Sequence, residues 1–256
     1  MYLLTIITIT YNAEKYLERT LKSVRTALLS TKDAAQIEYL IIDGDSKDDT
    51  LKIARQYPEM ITKIISEPDR GLYDAMNKGL VLATGKYIWF LNAGDEIYDK
   101  NVLFQLFKKL ETNADVLYSD AMLVRNDGSE VGLRSKFTPH NLPQDLKWQD
   151  FAMGMKVCHQ AFITKKNIAP FYDITNLSAD IDWEIECLKK AKKIQFLEFT
   201  LCRYLLGGLS IKNHKRSLLD RFKVLRKHFG LIPVLWSHVL IFWRGFWFSR
   251  LNGKYW

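Results

Sequence analysis

The chain has 256 residues, 48% of them hydrophobic, which is enough apolar material for a buried core and excludes a disordered segment. Its three cysteines, Cys158, Cys187 and Cys202, lack C-x-x-C spacing, which excludes a disulfide framework or a cysteine zinc site and fits a reducing compartment. The net charge of +8 is unevenly placed: from Arg203 onward eleven cations face one acid, Asp220, so the tail carries +10 and the body before it −2.

Tyr2 to Thr10 is an apolar, β-rich run that reads as a first strand; without a basic n-region or a small-residue cleavage site it is not a signal peptide. Glu14 to Leu29 carries Leu17, Leu21, Val24 and Leu28 at helical spacing. Ile37 to Asp43 is a second strand, ending in a carboxylate. Ser46-Lys47-Asp48-Asp49 reads as a capping box, with Ser46 as N-cap of a helix over Thr50 to Gln56. Thr62 to Ser66 follows as a third strand, Leu72 to Ala83 as a third helix and Tyr87 to Leu91 as a fourth strand. This alternation predicts an α/β fold with a Rossmann-like, mixed but mostly parallel sheet and helices on both faces.

In open sheets of this class, ligands bind beyond the carboxyl ends of the strands. Thr10-Tyr11-Asn12, Asp43-Gly44-Asp45, Asp69-Arg70-Gly71 and Asn92 to Asp95 would all fall on that rim. Any one of them alone reads as a turn; four on one edge read as a site. The chain lacks G-x-G-x-x-G and G-x-x-x-x-G-K-[ST], which argues against a dinucleotide dehydrogenase or a P-loop enzyme. Acids at strand ends suit base and ribose contacts. Asp95 suits Mg2+ or Mn2+ on a diphosphate, because such ions take one or two protein carboxylates and complete their shell with phosphate and water oxygens.

Near the C-terminus, LLDRFKVLRKHFG places Leu218, Phe222, Leu225 and Phe229 at helical spacing with cations opposite. The following LIPVLWSHVLIFWRGFWFSRLNGKYW approaches transmembrane length, but Pro233, His238 and Arg244 interrupt it, leaving too short a run to span. An amphipathic helix lying on an acidic membrane is expected, with a core-packed helix as the alternative.

The series TITYN, IDGDSKDDT, SEPDRGLYDAMNKGLVLATGKYIWFLNAGD, CHQAFITKK, SADIDWE and LLGGLS closely resembles family 2 glycosyltransferases of the GT-A fold. Within them it is most similar to the bacterial branch that builds O-antigen, capsule and colanic-acid-type polysaccharides. The likeness covers about residues 3 to 211. It implies a GT-A catalytic domain over 1–211, with a nucleotide-sugar half at 1–98 and an acceptor half at 99–211, before a basic, aromatic-rich membrane-surface segment at 212–256.

By position, the resemblance assigns Thr10, Tyr11, Asn12, Asp43 and Asp45 to the nucleoside, with Asp43 as partner of the base. Arg70 matches a position near the donor's base and phosphates, and Asn77 lies on the helix after it. Asp95 matches the last carboxylate of the D-x-D-D metal motif, while Asn92, kept among the donor contacts, and Gly94 stand where many members have Asp. His159 and Gln160 match a segment near the donor sugar or acceptor. Gly207, Gly208 and Ser210 resemble a loop that closes over the diphosphate, with Lys212 available to neutralise it.

Displacement of a nucleoside diphosphate by an acceptor hydroxyl needs a base. SADIDWE offers Asp180 and Asp182, which point in different directions on a helix over Ala179 to Ala191. Asp180 aligns with the family's E-D pair and is the expected base, with Asp182 second. The resemblance thus implies an inverting transfer from a nucleotide sugar, UDP-linked, with Mn2+ or Mg2+, to a polyprenyl-diphosphate-linked oligosaccharide. The expected setting is cytoplasmic, peripherally bound to the inner face of the plasma membrane, with no nucleic acid involved. A nucleotidyltransferase could use the same sheet and metal. A basic nucleic-acid-binding module could use the tail, although the strand-end carboxylates and nearly neutral body argue against it.

Overall fold

The computed structural model describes residues 2–207 and 213–252. The first half alternates as expected: β1 (Leu4–Thr10), α1 (Leu17–Leu29), β2 (Ile37–Asp43), α2 (Thr50–Ala54), β3 (Lys63–Ser66), α3 (Leu72–Leu82) and β4 (Tyr87–Phe90). Next come β5 (Glu96–Ile97), α4 (Val102–Leu110), β6 (Val116–Tyr118), β7 (Ala121–Val124), β8 (Glu130–Leu133) and the short α5 (Arg134–Phe137). The chain then forms β9 (Phe162–Lys165), α6 (Ala179–Lys190), β10 (Ile194–Phe196), β11 (Cys202–Leu205), α7 (His214–Phe229) and α8 (Leu231–Asn252).

Seven strands form the main sheet in the order β10-β6-β9-β4-β1-β2-β3. Only β9 runs antiparallel, inserted between β4 and β6. A second sheet, β5-β11-β7-β8, has no counterpart in the expected alternation. Every residue of β1 and β2 is buried, because helices cover the sheet and leave no solvent face. The polar residues within β1 are hydrogen-bonded: Thr5 Oγ1 donates to Glu38 at 2.6 Å and Thr8 Oγ1 to the carbonyl of Leu91 at 2.6 Å. Gly79 lets α3 approach the sheet, since a Cβ there would lie 2.8 Å from Ile7.

One local expectation is corrected. Ser46 does not cap α2; Asp49 precedes that helix, and the Ser46 hydroxyl is drawn instead to Asp43. Pro233 falls in the first turn of α8, where its missing N–H has no partner to lose, so the helix accommodates it. Among the described residues no helix is long and apolar enough to cross a membrane. α8 packs on α7 and the 148–153 turn and buries Val234 and Ser237, while Ile232, Trp236, Leu240, Phe242, Trp243 and Trp247 stay exposed.

Candidate active site

The strand register builds one corner of the rim. Thr10 pairs with Asp43, and Asp43 with Ser66, across β1, β2 and β3. Asp43 is buried and accepts four hydrogen bonds, from Thr10 Oγ1 at 2.9 Å, Ser46 N at 2.9 Å, Ser46 Oγ at 2.5 Å and Ser66 Oγ at 2.7 Å. Burial alone would raise its pKa, but the hydrogen bonds from Ser46, Ser66 and Thr10 outweigh it and hold the carboxyl below the usual range. A carboxylate has about four lone-pair sites, so protein donors saturate this one. Sequence assigns Asp43 to the base; the structure commits it, with Thr10, to tying three strand ends together.

Asn12 and Asp45 adopt left-handed conformations, with φ of 47° and 64°. Asn12 accepts from Lys47 N at 3.0 Å, and Asp45 pairs with Lys47 Nζ at 2.6 Å. Between these two turns the Tyr11 ring stands 65% exposed, a flat face open to a planar ligand. Beside it Gly44 approaches Asp69 so closely that a Cβ would collide with the Asp69 carboxylate. Asp69 Oδ1 accepts from Gly71 N at 2.8 Å, and among the described residues nothing hydrogen-bonds its Oδ2. Arg70 is exposed on the same loop and braced by Asp74 at 3.2 Å. Asn77 is turned elsewhere: its amide donates to the Tyr172 carbonyl at 3.0 Å and accepts from Tyr172 N at 2.8 Å, joining α3 to the second half of the chain.

The 92–95 turn hangs from α1, where Thr20 Oγ1 accepts from Gly94 N at 2.9 Å and donates to the Asp95 carbonyl at 2.7 Å. Asp95 is 4% exposed, and its Oδ1 accepts from Leu205 N at 2.8 Å, at the end of β11. Burial pushes this carboxyl up to about 7, against the opposing pull of the Leu205 N–H and the Gln160 amide. The Asn92 Oδ1 atom is buried without a hydrogen-bond partner. An unsatisfied amide oxygen and a desolvated carboxylate in one turn are a donor set of the kind that suits a hard divalent cation completed by phosphate oxygens. Gly94 has φ of 103°, and a side chain there would meet Leu205 at 2.7 Å, so this turn excludes a second acid at that position.

Across the rim, Asp180 is half-buried in the first turn of α6. Burial raises its carboxyl above the ordinary range, offset in part by Ile181 N, Arg221 and the Tyr73 hydroxyl. Asp182 points away from this group: Lys227 Nζ lies 2.8 Å from both of its oxygens and His228 also bonds it, so α6 is tied to α7. Asp182, Glu186 and His228 lie within reach of a single ion, but Lys227 already holds both Asp182 oxygens.

His159 is buried among Phe90, Tyr172 and Trp183, with Nε2 at 2.8 Å from the Tyr172 hydroxyl; burial drives it down to about 3, so it is neutral. Gln160 is also buried but reaches the Asp95 carboxyl. Gly207 is described, with φ of 106°; Gly208, Ser210 and Lys212 lie outside the described residues. Tyr204 was not anticipated: its hydroxyl, pushed up chiefly by burial, feels both Asp95 and Asp180. Ser46, Ser66 and Tyr73 were likewise unanticipated as site residues. Asp69 was read onto the rim with Arg70 and Gly71, but without a role of its own.

The profile of Glycosyl transferase family 2 matches residues 5–168, well over half of the chain. The chain belongs to this family. This glycosyltransferase is 28% identical over 193 residues to a PGL/p-HBAD biosynthesis glycosyltransferase of Mycobacterium bovis, a match covering 71% of each chain. It is 26% identical over 213 residues to the uncharacterized glycosyltransferase YibD of Escherichia coli, covering 73% of this chain and 58% of the other. Among solved structures, residues 1–349 of TarS from S. aureus in complex with UDP-GlcNAc superpose with a TM-score of 0.69 at 19% identity, covering 98% of this chain and 74% of that one. The mannosyltransferase PcManGT from Pyrobaculum calidifontis, in complex with GDP-Man and Mn2+, gives a TM-score of 0.62 at 12% identity, covering 98% and 76%. The mixed, mostly parallel sheet is thus the GT-A fold of known glycosyltransferases. Family membership sets aside the nucleotidyltransferase and nucleic-acid-binding readings.

Proposed function

We propose that this glycosyltransferase moves a sugar from a UDP-linked donor to a lipid-linked oligosaccharide, with inversion, at the inner face of the plasma membrane during synthesis of a bacterial surface polysaccharide. The observation that carries this reading is the pair of acids Asp95 and Asp180, both pushed upward by burial on one rim and both felt by Tyr204. Two displaced carboxylates in one cleft mark a site where charge is handled. The complex of TarS with UDP-GlcNAc supports a UDP donor.

In this reading the Tyr11 ring and Asp69 Oδ2 take the base, with Asp45 and Arg70 beside the ribose and phosphates. Asp95 and Asn92 hold Mn2+ or Mg2+, which when bound offsets the charge of the departing diphosphate. Gln160 orients the Asp95 carboxyl. Asp180, its affinity for protons raised by burial, accepts the proton of the attacking hydroxyl, and Tyr73 keeps it oriented. The exposed aromatic face of α8 and the cations around it dock on acidic lipid.

Calorimetric titration of UDP with and without Mn2+ tests the centre of the reading. Metal-dependent UDP binding by the wild type that is lost in Asp95→Ala is expected; metal-independent binding that survives the substitution would overturn the role of Asp95.

A further inference from the structure

The one acid of the basic tail is buried. Asp220 lies on α7 between two cations of its own helix, Arg216 at 3.6 Å and Lys223 at 2.9 Å, but both of these are exposed, and pairs with solvated partners contribute little. Asp220 itself is 3% exposed, and its remaining contacts leave the helix. Its Oδ2 accepts from Leu177 N at 3.1 Å, and its carbonyl accepts from the Asn176 side-chain amide at 3.4 Å. Nearer the start of α7, the Ser217 carbonyl accepts from Ser178 Oγ at 3.1 Å and Arg216 Nη2 donates to the Thr175 carbonyl at 3.2 Å. α7 therefore grips residues 175–178, the run that leads into α6 just ahead of Asp180.

Leu177 is held from the other side as well. The Tyr73 hydroxyl donates to the Leu177 carbonyl at 3.2 Å, and the Tyr73 ring stacks on Tyr172 with centroids 5.5 Å apart. One turn along α3, Asn77 exchanges two hydrogen bonds with the Tyr172 backbone. Asp74, next to Tyr73, braces both the backbone and the guanidinium of Arg70 on the donor-side loop. The N–H of Leu177 is thus tied to α7 and its carbonyl to α3.

α6 does not cap itself. Ser178 is its N-cap residue, yet the Ser178 hydroxyl makes no bond to the first turn and goes to Ser217 instead. The direction in which that turn presents Asp180 is therefore set from outside the helix, and the charge-assisted bond from Leu177 N to the Asp220 carboxylate is the strongest kind of contact available for setting it. Resting on the reading of Asp180 as the base, we propose that Asp220 is a positioning residue of the transfer, which through Leu177 fixes the first turn of α6 and aims Asp180 at the acceptor hydroxyl. α7 then serves the reaction as well as the docking face to which it leads.

The test compares Asp220→Ala with Asp220→Asn, which drops the charge facing Arg216 and Lys223 but keeps an oxygen for Leu177 N. Tyr73→Phe frees the Leu177 carbonyl instead and carries the same test if Asp220→Ala fails to fold. Hydrogen exchange of peptides spanning 174–182 comes first, because it needs no substrate. Exchange there about tenfold faster in Asp220→Ala and restored in Asp220→Asn, with UDP affinity unchanged by calorimetry, is expected. Turnover is read as UDP released, over a bacterial lipid extract, from whichever of UDP-GlcNAc, UDP-glucose and UDP-galactose the wild type uses fastest. Asp220→Ala should lower kcat about 10²-fold at unchanged KM, with recovery in Asp220→Asn. Asp182→Asn, which loosens the other end of the α6–α7 contact, should hold kcat within a few-fold, and this separates the aiming of Asp180 from the packing of the two helices. Unchanged exchange at 174–182 in Asp220→Ala would overturn the proposal, as would a loss shared equally by Asp220→Asn, which would assign Asp220 to its ion pairs. Faster exchange with kcat intact would remove the role in transfer. Normal turnover in Asp180→Asn would defeat the base reading by itself, since exchange reports the hold on Leu177 whatever Asp180 does.

Discussion

The carboxylate of Asp69 occupies the space in which a side chain on Gly44 would begin, so one residue's lack of a Cβ makes room for the other's acid. With Asp43 saturated by Thr10, Ser46 and Ser66, Asp69 Oδ2 is the acceptor that this corner offers to a base beside the Tyr11 ring. Uracil presents an N3–H donor, whereas cytosine presents an acceptor at N3. Asp69→Asn should therefore weaken UDP binding about tenfold and narrow the preference for UDP over CDP, both read by calorimetry. Gly44→Ala, by displacing Asp69, should weaken UDP to a similar degree.

Asp95 would make the proposed metal site sensitive to pH. Burial pushes its folded-state carboxyl up to about 7, well above the unfolded value near 4. The folded chain thus keeps a proton that the unfolded chain releases, so stability falls as pH rises through this window and levels off above about 7. Asp95→Asn should flatten that slope in thermal melts. Cation binding needs the ionised form, so Mn2+-dependent UDP affinity should strengthen by up to about tenfold per pH unit below 7 and plateau above it. Heats measured in buffers of different ionisation enthalpy should show proton release below 7.

Asp180 and Asp182 should separate cleanly. Asp180→Asn is expected to lower kcat by about 10²–10⁴-fold while leaving UDP affinity intact. Asp182→Asn should lower the thermal midpoint, because it releases Lys227 and His228 from the α6–α7 contact, while kcat stays within a few-fold. Normal turnover in Asp180→Asn would move the base elsewhere.

Membrane docking can be read from α8. Trp236, Trp243 and Trp247 are 68%, 52% and 54% exposed, so replacing all three with Ser removes apolar area without opening the core. Co-sedimentation with phosphatidylglycerol vesicles should fall sharply while the thermal midpoint holds. Unchanged sedimentation would sink the docking face.

The first half of the fold is legible because β1 and β2 are buried on both faces and therefore read as unbroken apolar runs. What failed there failed for long-range reasons. Ser46 looks like a cap but is captured by Asp43, and residues 12–16 form a loop because Glu14 exchanges hydrogen bonds with the Asp48–Asp49 turn. The second sheet was invisible because its strands are two to four residues long and all but the local β7–β8 pair join distant parts of the chain. Within the site, the spacing of Asp180 and Asp182 announced that they diverge. Asp69 was placed on the rim from sequence, but its fit against Gly44 was visible only in the structure, and the neutral state of His159 only once its aromatic surroundings were known.

The insertion of β9 bears on how such an enzyme can be rebuilt. A fragment ending near residue 98 would leave the edge of β4 bare, because the strand that covers it arrives more than sixty residues later. Tyr172, whose backbone receives Asn77, comes later still. The two halves interlock rather than abut, so chimaeras joined at that boundary would inherit an open, adhesive edge. New donor preferences are better sought by changing side chains around Tyr11 and Asp69 within one intact chain than by swapping one half for another.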